Sequence, residues 1–407
     1  MRARQFFRLV GFECRKAFLN PAMLIFFVAL LLFNGWKIND SYDRKVAEWT
    51  DYEAQYAETY LKYSGAITGE KIADLMAVYA PLEAKKNKQE LNYDYDPNAY
   101  TYSEGMDEKF YRTLFYTELK YDYLYQNEAY RIAENALRMA AFYEGIGNDF
   151  EAAKNKQIAA DFTGRVIPAF SDTRGYEVLL NYDYSAMLVL LFSIFALCGV
   201  FVTERETDMY MLLRTTKNGT GSTVAAKLTA ATLFIIVVCA VFFGQDFLSI
   251  YFASPRNTAL QSPIYALRAF ESTGLSMTIG QYFLWSAMAK TVGILACCTM
   301  ILLVSSLFKH TLGAFFTSLA LLLVSVALQE FCQGKLLLRW FNPMELMIGR
   351  ELVYRDAFVD VFGQPVRLHS FVLAGALLTV AIMICGILYL NRSYHNRMRR
   401  RGQHVSV

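Results

Sequence analysis

Two charged residues, Asp246 and Lys290, stand inside long apolar runs of the sequence. A charge at the centre of a membrane helix costs at least about 2.5–3.5 kcal/mol, so each needs a partner or access to water. Counted along a helix at 1.5 Å per residue, both fall roughly 10–13 Å below the same surface. The two are therefore expected to couple, as a structural ion pair or as the lining of a polar pathway. Other chemistry is scarce. The glycine-rich "NGTGST" (Asn218–Thr223) lacks the Lys with which a P-loop reaches the β/γ-phosphates, and reads as a flexible turn. No H-E-x-x-H, paired C-x-x-C or G-x-S-x-G occurs. His310, His369, His395 and His404 are scattered without a Cys or carboxylate at metal-ligand spacing, so no metal and no cofactor is expected. Arg399–Arg401 borders an apolar run, which makes phospholipid its partner and not nucleic acid. No covalent catalysis is expected, and any work must draw on energy supplied elsewhere.

The elements that would hold these residues are membrane helices. The chain has 407 residues, is 55% hydrophobic and has a mean hydropathy of +0.23. Its apolar residues cluster at Pro21–Trp36, Ala186–Thr203, Leu228–Ala253, Phe283–Phe308, Leu312–Leu328 and Phe371–Leu390. About 20 apolar residues carry a helix across the hydrocarbon core. Runs of this length are helices and not alternating barrel strands. The expected fold is an all-α membrane protein with six transmembrane helices. Residues 1–20 form an interfacial amphipathic helix, 21–37 the first span and 38–184 a large helical domain. Residues 185–407 carry spans two to six, with a loop at 204–227, an external segment at 329–370 and a basic tail at 391–407.

Charge sets the expected orientation. The block from Ile38 to Tyr184 holds 26 acidic and 16 basic residues, a net −10, and the remainder 24 basic and 11 acidic, a net +13. Short Lys- and Arg-rich segments stay in the cytoplasm. They occur at the N-terminus (Arg2, Arg4, Arg8, Arg15, Lys16), in the loop (Arg205, Arg214, Lys217, Lys227), at Lys309-His310, and in the tail (Arg392, Arg397, Arg399, Arg400, Arg401). With six spans all four share one side, so both termini are cytoplasmic and the acidic block is extracytoplasmic. No small-residue cleavage site follows the first run in "FNGWKINDS", which reads as a signal-anchor. The seven Cys avoid the acidic block, so packing and not disulfides must hold it.

Arg4, Arg8 and Arg15 share one face of a helix running from Arg4 to Ala17, and Phe6, Val10 and Ala17 lie about 200° away. With Lys16 these basic residues suit anionic headgroups. In the acidic block Thr68 is placed to cap a helix. A long helix follows from about Asp107 to Tyr143, with Tyr125, Ala129, Ile132, Ala136, Met139 and Tyr143 at coiled-coil-like spacing. Asn148 with Glu151 forms a capping pair for the next. Twenty of the 27 Tyr lie in this block, read as seam and boundary packing before any sugar or peptide surface.

The stretch "FVTERETDMYMLLRTTKNGTGSTVAAK", Phe201–Lys227, links two spans. Met209, Leu212 and Leu213 define an apolar face of a short helix, with Glu204, Arg205 and Asp208 directed elsewhere. The stretch resembles the segment between the second and third spans of ABC-2 type transporter permeases. Glu204, Glu206, Leu212, Leu213, Thr215, Thr216 and Lys227 match that pattern in order and spacing. Asp208 stands where Gly is usual, Lys217 where Pro is common, and Thr220 where Arg is common. The six-span plan, the N-terminal interfacial helix, the long insertion after the first span and "FNP" (Phe341–Pro343) extend the resemblance. It implies a permease subunit in a bacterial-type cell membrane, paired with a second permease and bound to cytoplasmic ABC ATPase subunits. Export or clearance of a peptide, lipid or antibiotic-like substrate is the expected activity. Glu204, Arg205, Glu206, Met209, Leu212, Leu213, Arg214 and Thr215 would form the ATPase-coupling helix. The contrasting class is a non-transporting sensor or scaffold with a ligand-binding external domain.

The topology predicts that an impermeant thiol reagent marks Asp94→Cys in intact cells and leaves Arg400→Cys unmarked. Labelling of the tail from outside would overturn the orientation.

Overall fold

The computed structural model describes residues 3–91, 101–207, 209, 221–254, 257–331, 336–348, 350–354 and 356–403. Six helices are long and apolar enough to cross a membrane: Pro21–Val46, Arg174–Leu197, Gly221–Ala253, Ile279–Leu307, Thr311–Gln329 and Leu368–Arg392. They are the first to sixth spans of a mostly helical, multi-pass membrane protein. Burial ranks them. Within their apolar stretches the second and fourth spans are 56% and 61% buried, against 17% for the first and fifth. The fourth span is thus the centre of the bundle, and the first and fifth present most of their apolar surface outward.

Ala3–Ala17 forms the N-terminal helix, with Arg4, Arg8 and Arg15 exposed and Val10 and Glu13 buried. Asn20 turns the chain into the first span, its side-chain oxygen accepting from the Met23 N–H at 2.9 Å. Phe18 stacks on Phe234 of the third span with 4.2 Å between ring centroids. The first span continues as helix to Val46, past the expected boundary at 37. Its polar extension is braced by Lys37–Asp40 (3.2 Å) and Asp40–Arg44 (3.0 Å), pairs at helical spacing. The second span is interrupted: Arg174–Leu180 and Tyr184–Leu197 are helical, and Asn181–Asp183 between them are not.

The insertion between the first two spans carries helices Glu53–Tyr63, Gly69–Leu91, Tyr102–Tyr111, Thr117–Gly145 and Asp149–Phe162. Tyr102–Tyr111 and Thr117–Gly145 join through a π-turn at Arg112–Tyr116. Thr68 and Asn148 cap as their types predict, accepting from the N–H groups of Lys71 (3.3 Å) and Glu151 (3.1 Å). The expected seam is corrected on one side. Tyr125, Ala129, Ala133, Ala136 and Ala140 are buried, whereas Ile132 is half-buried and Met139 exposed. A straight helix has 3.6 residues per turn and drifts from a 3.5 repeat, so the seam steps from Ile132 and Met139 to Ala133 and Ala140. The tyrosines fill a core. Tyr56, Tyr60 and Tyr63 are buried with Trp49, Phe110 and Phe115, and Tyr56 lies 5.3 Å from the Phe115 ring.

Two short antiparallel pairs correct the all-α expectation. Gly65–Ala66 pairs with Ala169–Phe170, and Phe358–Val361 with Gln364–Arg367. The second is a hairpin whose two-residue loop, Phe362 (φ 54) and Gly363 (φ 82), has both residues in the left-handed region that such loops require. The insertion is fastened to the loop between the third and fourth spans. Tyr121 Oη donates to the Tyr265 carbonyl (2.9 Å), and Arg165 Nη1 to that of Thr273 (2.6 Å).

The fourth span meets the segment containing "FNP" without a gap. A Cβ on Gly293 would stand 2.9 Å from the Pro343 carbonyl oxygen and 3.0 Å from Leu346 Cβ. Gly293→Ala is therefore expected to lower the thermal unfolding temperature of the detergent-solubilised protein, by the about 1–3 kcal/mol of overpacking. Gly244→Ala, which has open space within 4 Å, should leave it unchanged or raise it. Equal effects of the two would contradict this packing.

Candidate functional site

Lys227 lies near the start of the third span and is 3% exposed. Its ammonium stands 2.8 Å from Glu204 Oε1 and 2.9 Å from Glu13 Oε2, and donates to the Val200 carbonyl at 3.1 Å. Glu13 and Glu204 are themselves buried. Lys16 reaches Glu204 from the rim at 3.1 Å. Two lysines and two glutamates thus form a neutral knot that joins the N-terminal helix, the end of the second span and the start of the third. Each buried charge has the partner it needs, because desolvation without one is prohibitive.

The residues after Glu204 continue the pattern. Arg205 Nη1 donates to the carbonyl of Phe308, where the fourth span ends (3.1 Å). Glu206 accepts from the N–H of Thr311 (2.8 Å) and from its hydroxyl (2.9 Å). It therefore satisfies an orphan donor at the N-terminus of the fifth span. The Thr311 N–H and hydroxyl hold the Glu206 carboxyl below the usual range. Three consecutive charges are each wired to a different element.

The expectation that Glu204 and Arg205 are directed away from the apolar face of Met209, Leu212 and Leu213 is met here by definite partners within the chain. The helix at this point is the short Thr203–Glu206, in which Glu204 is buried, Arg205 half-buried and Glu206 exposed, each bonded back to the protein. Met209 is exposed. Leu212, Leu213, Arg214 and Thr215 lie outside the described residues, as does the first half of the expected glycine-rich turn (218–220), while Gly221, Ser222 and Thr223 already belong to the third span. Glu13 was not singled out by sequence reasoning. The signal was present: an acid on the apolar face of the N-terminal helix, three residues from Val10 and four from Ala17.

At the opposite ends of the spans lies a second polar cluster. Asn34 of the first span donates to Asp246 Oδ1 (2.7 Å) and to Gln245 Oε1 (3.2 Å), both on the third. Tyr182 Oη donates to Asn34 Oδ1 (3.1 Å). Lys290 of the fourth span pairs with Asp183 (2.9 Å) and donates to the Tyr182 carbonyl (3.3 Å). Arg350 stands 3.4 Å from the other Asp183 oxygen and donates to the Asn181 carbonyl (2.8 Å). The expected Asp246–Lys290 ion pair is thus replaced. Lys290 takes Asp183, which the break in the second span delivers, and Asp246 takes the Asn34 amide. Asp246 and Lys290 still line one small cavity, with about 10 Å3 open to a water-sized sphere, space for about a single water. Among the described residues no group of three or more His, Cys, Asp and Glu could hold a metal ion.

Comparison with known proteins matches no family model and no curated sequence.

Lys227→Met should orphan Glu13, leave Glu204 only Lys16 at the rim, and destabilise the solubilised protein by about 3–5 kcal/mol. Adding Glu13→Gln and Glu204→Gln should recover much of that loss. Additive losses in thermal unfolding of the combined variant would reject the knot.

Proposed function

We propose that this chain is the permease subunit of an ABC transporter of the ABC-2 type. In this reading the knotted side is cytoplasmic, the insertion is extracytoplasmic, and the chain crosses a bacterial-type cell membrane. It assembles with a second permease, the same or a related chain, and with cytoplasmic ABC ATPase subunits that hydrolyse ATP. The cargo is a peptide, lipid or antibiotic-like molecule that is exported or cleared.

The observation that carries the reading is the wiring of Glu204, Arg205 and Glu206 to the third, fourth and fifth spans. The matched loop emerges directly from that wiring. A partner that pushes the loop moves three spans and the N-terminal helix together, because each link is a charged group held at hydrogen-bond distance. Arg4, Arg8 and Arg15, exposed on the N-terminal helix, face the headgroups or the ATPase beside it.

The test is capture of the partner. The full chain, solubilised from its own cell, should carry a stoichiometric ATP-hydrolysing subunit. Leu212→Asp should keep the full-length protein at normal level in the membrane and abolish co-purification of that subunit, because a carboxylate forced into an apolar contact lacks a partner. Gly219→Ala should be much milder. Retained ATPase binding in Leu212→Asp would reject the coupling assignment. Recovery of a histidine kinase alone would replace the permease by a sensor.

A further inference from the structure

A cavity of about 420 Å3 opens where the insertion meets the first two spans, a size within the range of small-molecule sites. Its walls come from the far end of the first span, the helix Thr117–Gly145, the start of the second span and the loop between the third and fourth. Trp49, Leu114, Phe170 and Phe270 line it, all of them buried.

The charges that line it are matched with one exception. Lys45 pairs with Glu177 (2.9 Å), Arg174 holds Asp172 through two contacts of 3.0 Å, and Arg44 pairs with Asp40 (3.0 Å). Arg268 stands 3.4 Å from Glu118 and donates to the Thr117 carbonyl (2.6 Å). Asp122 remains. It lines the cavity, is 7% exposed, and has no hydrogen bond or ion pair among the described residues. A buried carboxylate without a partner is costly, and native proteins rarely keep one without a use.

We propose that this cavity binds a small amphipathic organic cation, whose ammonium sits on Asp122 and whose apolar body lies against Trp49, Leu114, Phe170 and Phe270. One free carboxylate among otherwise matched charges suits a single ammonium. A divalent cation needs several oxygen ligands that this wall does not offer. An anion would find the basic groups of the wall, Arg44, Lys45, Arg174 and Arg268, already held by carboxylates. The site stands independently of the permease reading, since a transporter and a sensor could each use it.

Proton linkage sharpens the expectation. Burial, reinforced by Glu118 and opposed by Arg268, raises the Asp122 carboxyl to about 8. Glu118 and Tyr121 on its own helix and Arg268 on the loop act on it, and the other charged groups of the same cavity are Arg44 and Lys45 on the first span and Asp172, Arg174 and Glu177 at the start of the second. The empty site therefore holds a neutral carboxyl at pH 7, and an ammonium must displace its proton. Affinity should rise about tenfold per pH unit on approaching pH 8 and level off above it.

The test is calorimetry on the full chain in lipid nanodiscs, with empty nanodiscs as the blank. The probes are 4-phenylbutylamine and its uncharged counterpart 4-phenylbutanol. The amine should bind saturably at one site and at least about tenfold tighter than the alcohol. Asp122→Asn, which keeps the shape and removes the charge, should erase both the preference and the pH dependence. Should that variant not fold, the pH dependence of the natural protein decides alone. No saturable amine binding, equal binding of amine and alcohol, an affinity flat between pH 6 and pH 8, or a preference retained in Asp122→Asn would each overturn the site.

Discussion

A buried ammonium must be compensated wherever it goes, and Lys227 imposes that condition on the whole terminal side of the molecule. Its head is withdrawn from water beside two carboxylates and a carbonyl. Their mutual attraction offsets desolvation only if all of them arrive together. Glu13 can arrive only if the N-terminal helix lies with its Val10–Ala17 face on the third span. Glu204 can arrive only if the chain leaves the second span by turning back toward the third. One lysine therefore fixes the seat of one helix and the exit direction of another. Arg205 and Glu206 then inherit their partners, the Phe308 carbonyl and the Thr311 N–H, from that exit.

The bundle needs such fixtures because lipid supplies little drive for one apolar helix to choose another. Van der Waals packing and interhelical hydrogen bonds must set the register instead. Both ends of this bundle are pinned by polar groups: the lysine–glutamate knot at one, and the Asn34–Asp246, Tyr182–Asn34 and Lys290–Asp183 contacts at the other. Between them the second, third and fourth spans bury Phe192, Ile235, Phe242 and Ile294. The first and fifth spans, least buried, add polar contacts through Asn34 and Thr311 to the packing of Phe26, Phe27, Leu319 and Leu322.

How much of this was legible in the sequence follows from how local each signal is. Run length and hydropathy expose the six spans because a span is a property of some twenty consecutive residues. Thr68 and Asn148 declare their caps because a cap needs only three residues of context. Asp246 and Lys290 were legible as residues that require partners, but their partners were not, and Glu204 and Lys227 were legible only as charges at span ends. Lys290 finds Asp183 only because the second span breaks at Asn181–Asp183, and no proline or glycine marks that break. The hairpin at Phe358–Arg367 carried its signal in Gly363, outweighed by the helical character around it. Asp122 gave no signal at all. It stands in a helix rich in polar residues, and the loop residues Ala266–Phe270 that share its cavity are about 145 positions away in sequence.

The second span is the one element that belongs to both pinned ends. Its broken start supplies Tyr182 and Asp183 to one cluster, and its end supplies Val200 and Glu204 to the other. The helix between them, Tyr184–Leu197, has 14 residues, about 21 Å of rigid rise, and lies largely buried against the third and fourth spans. A shift of this rod along its axis moves Asp183 relative to Lys290. The non-helical residues on either side of it, Asn181–Asp183 and Cys198–Val202, are where such a shift can be absorbed. Two charged clusters thus bracket one stiff rod, with a non-helical stretch at each of its ends.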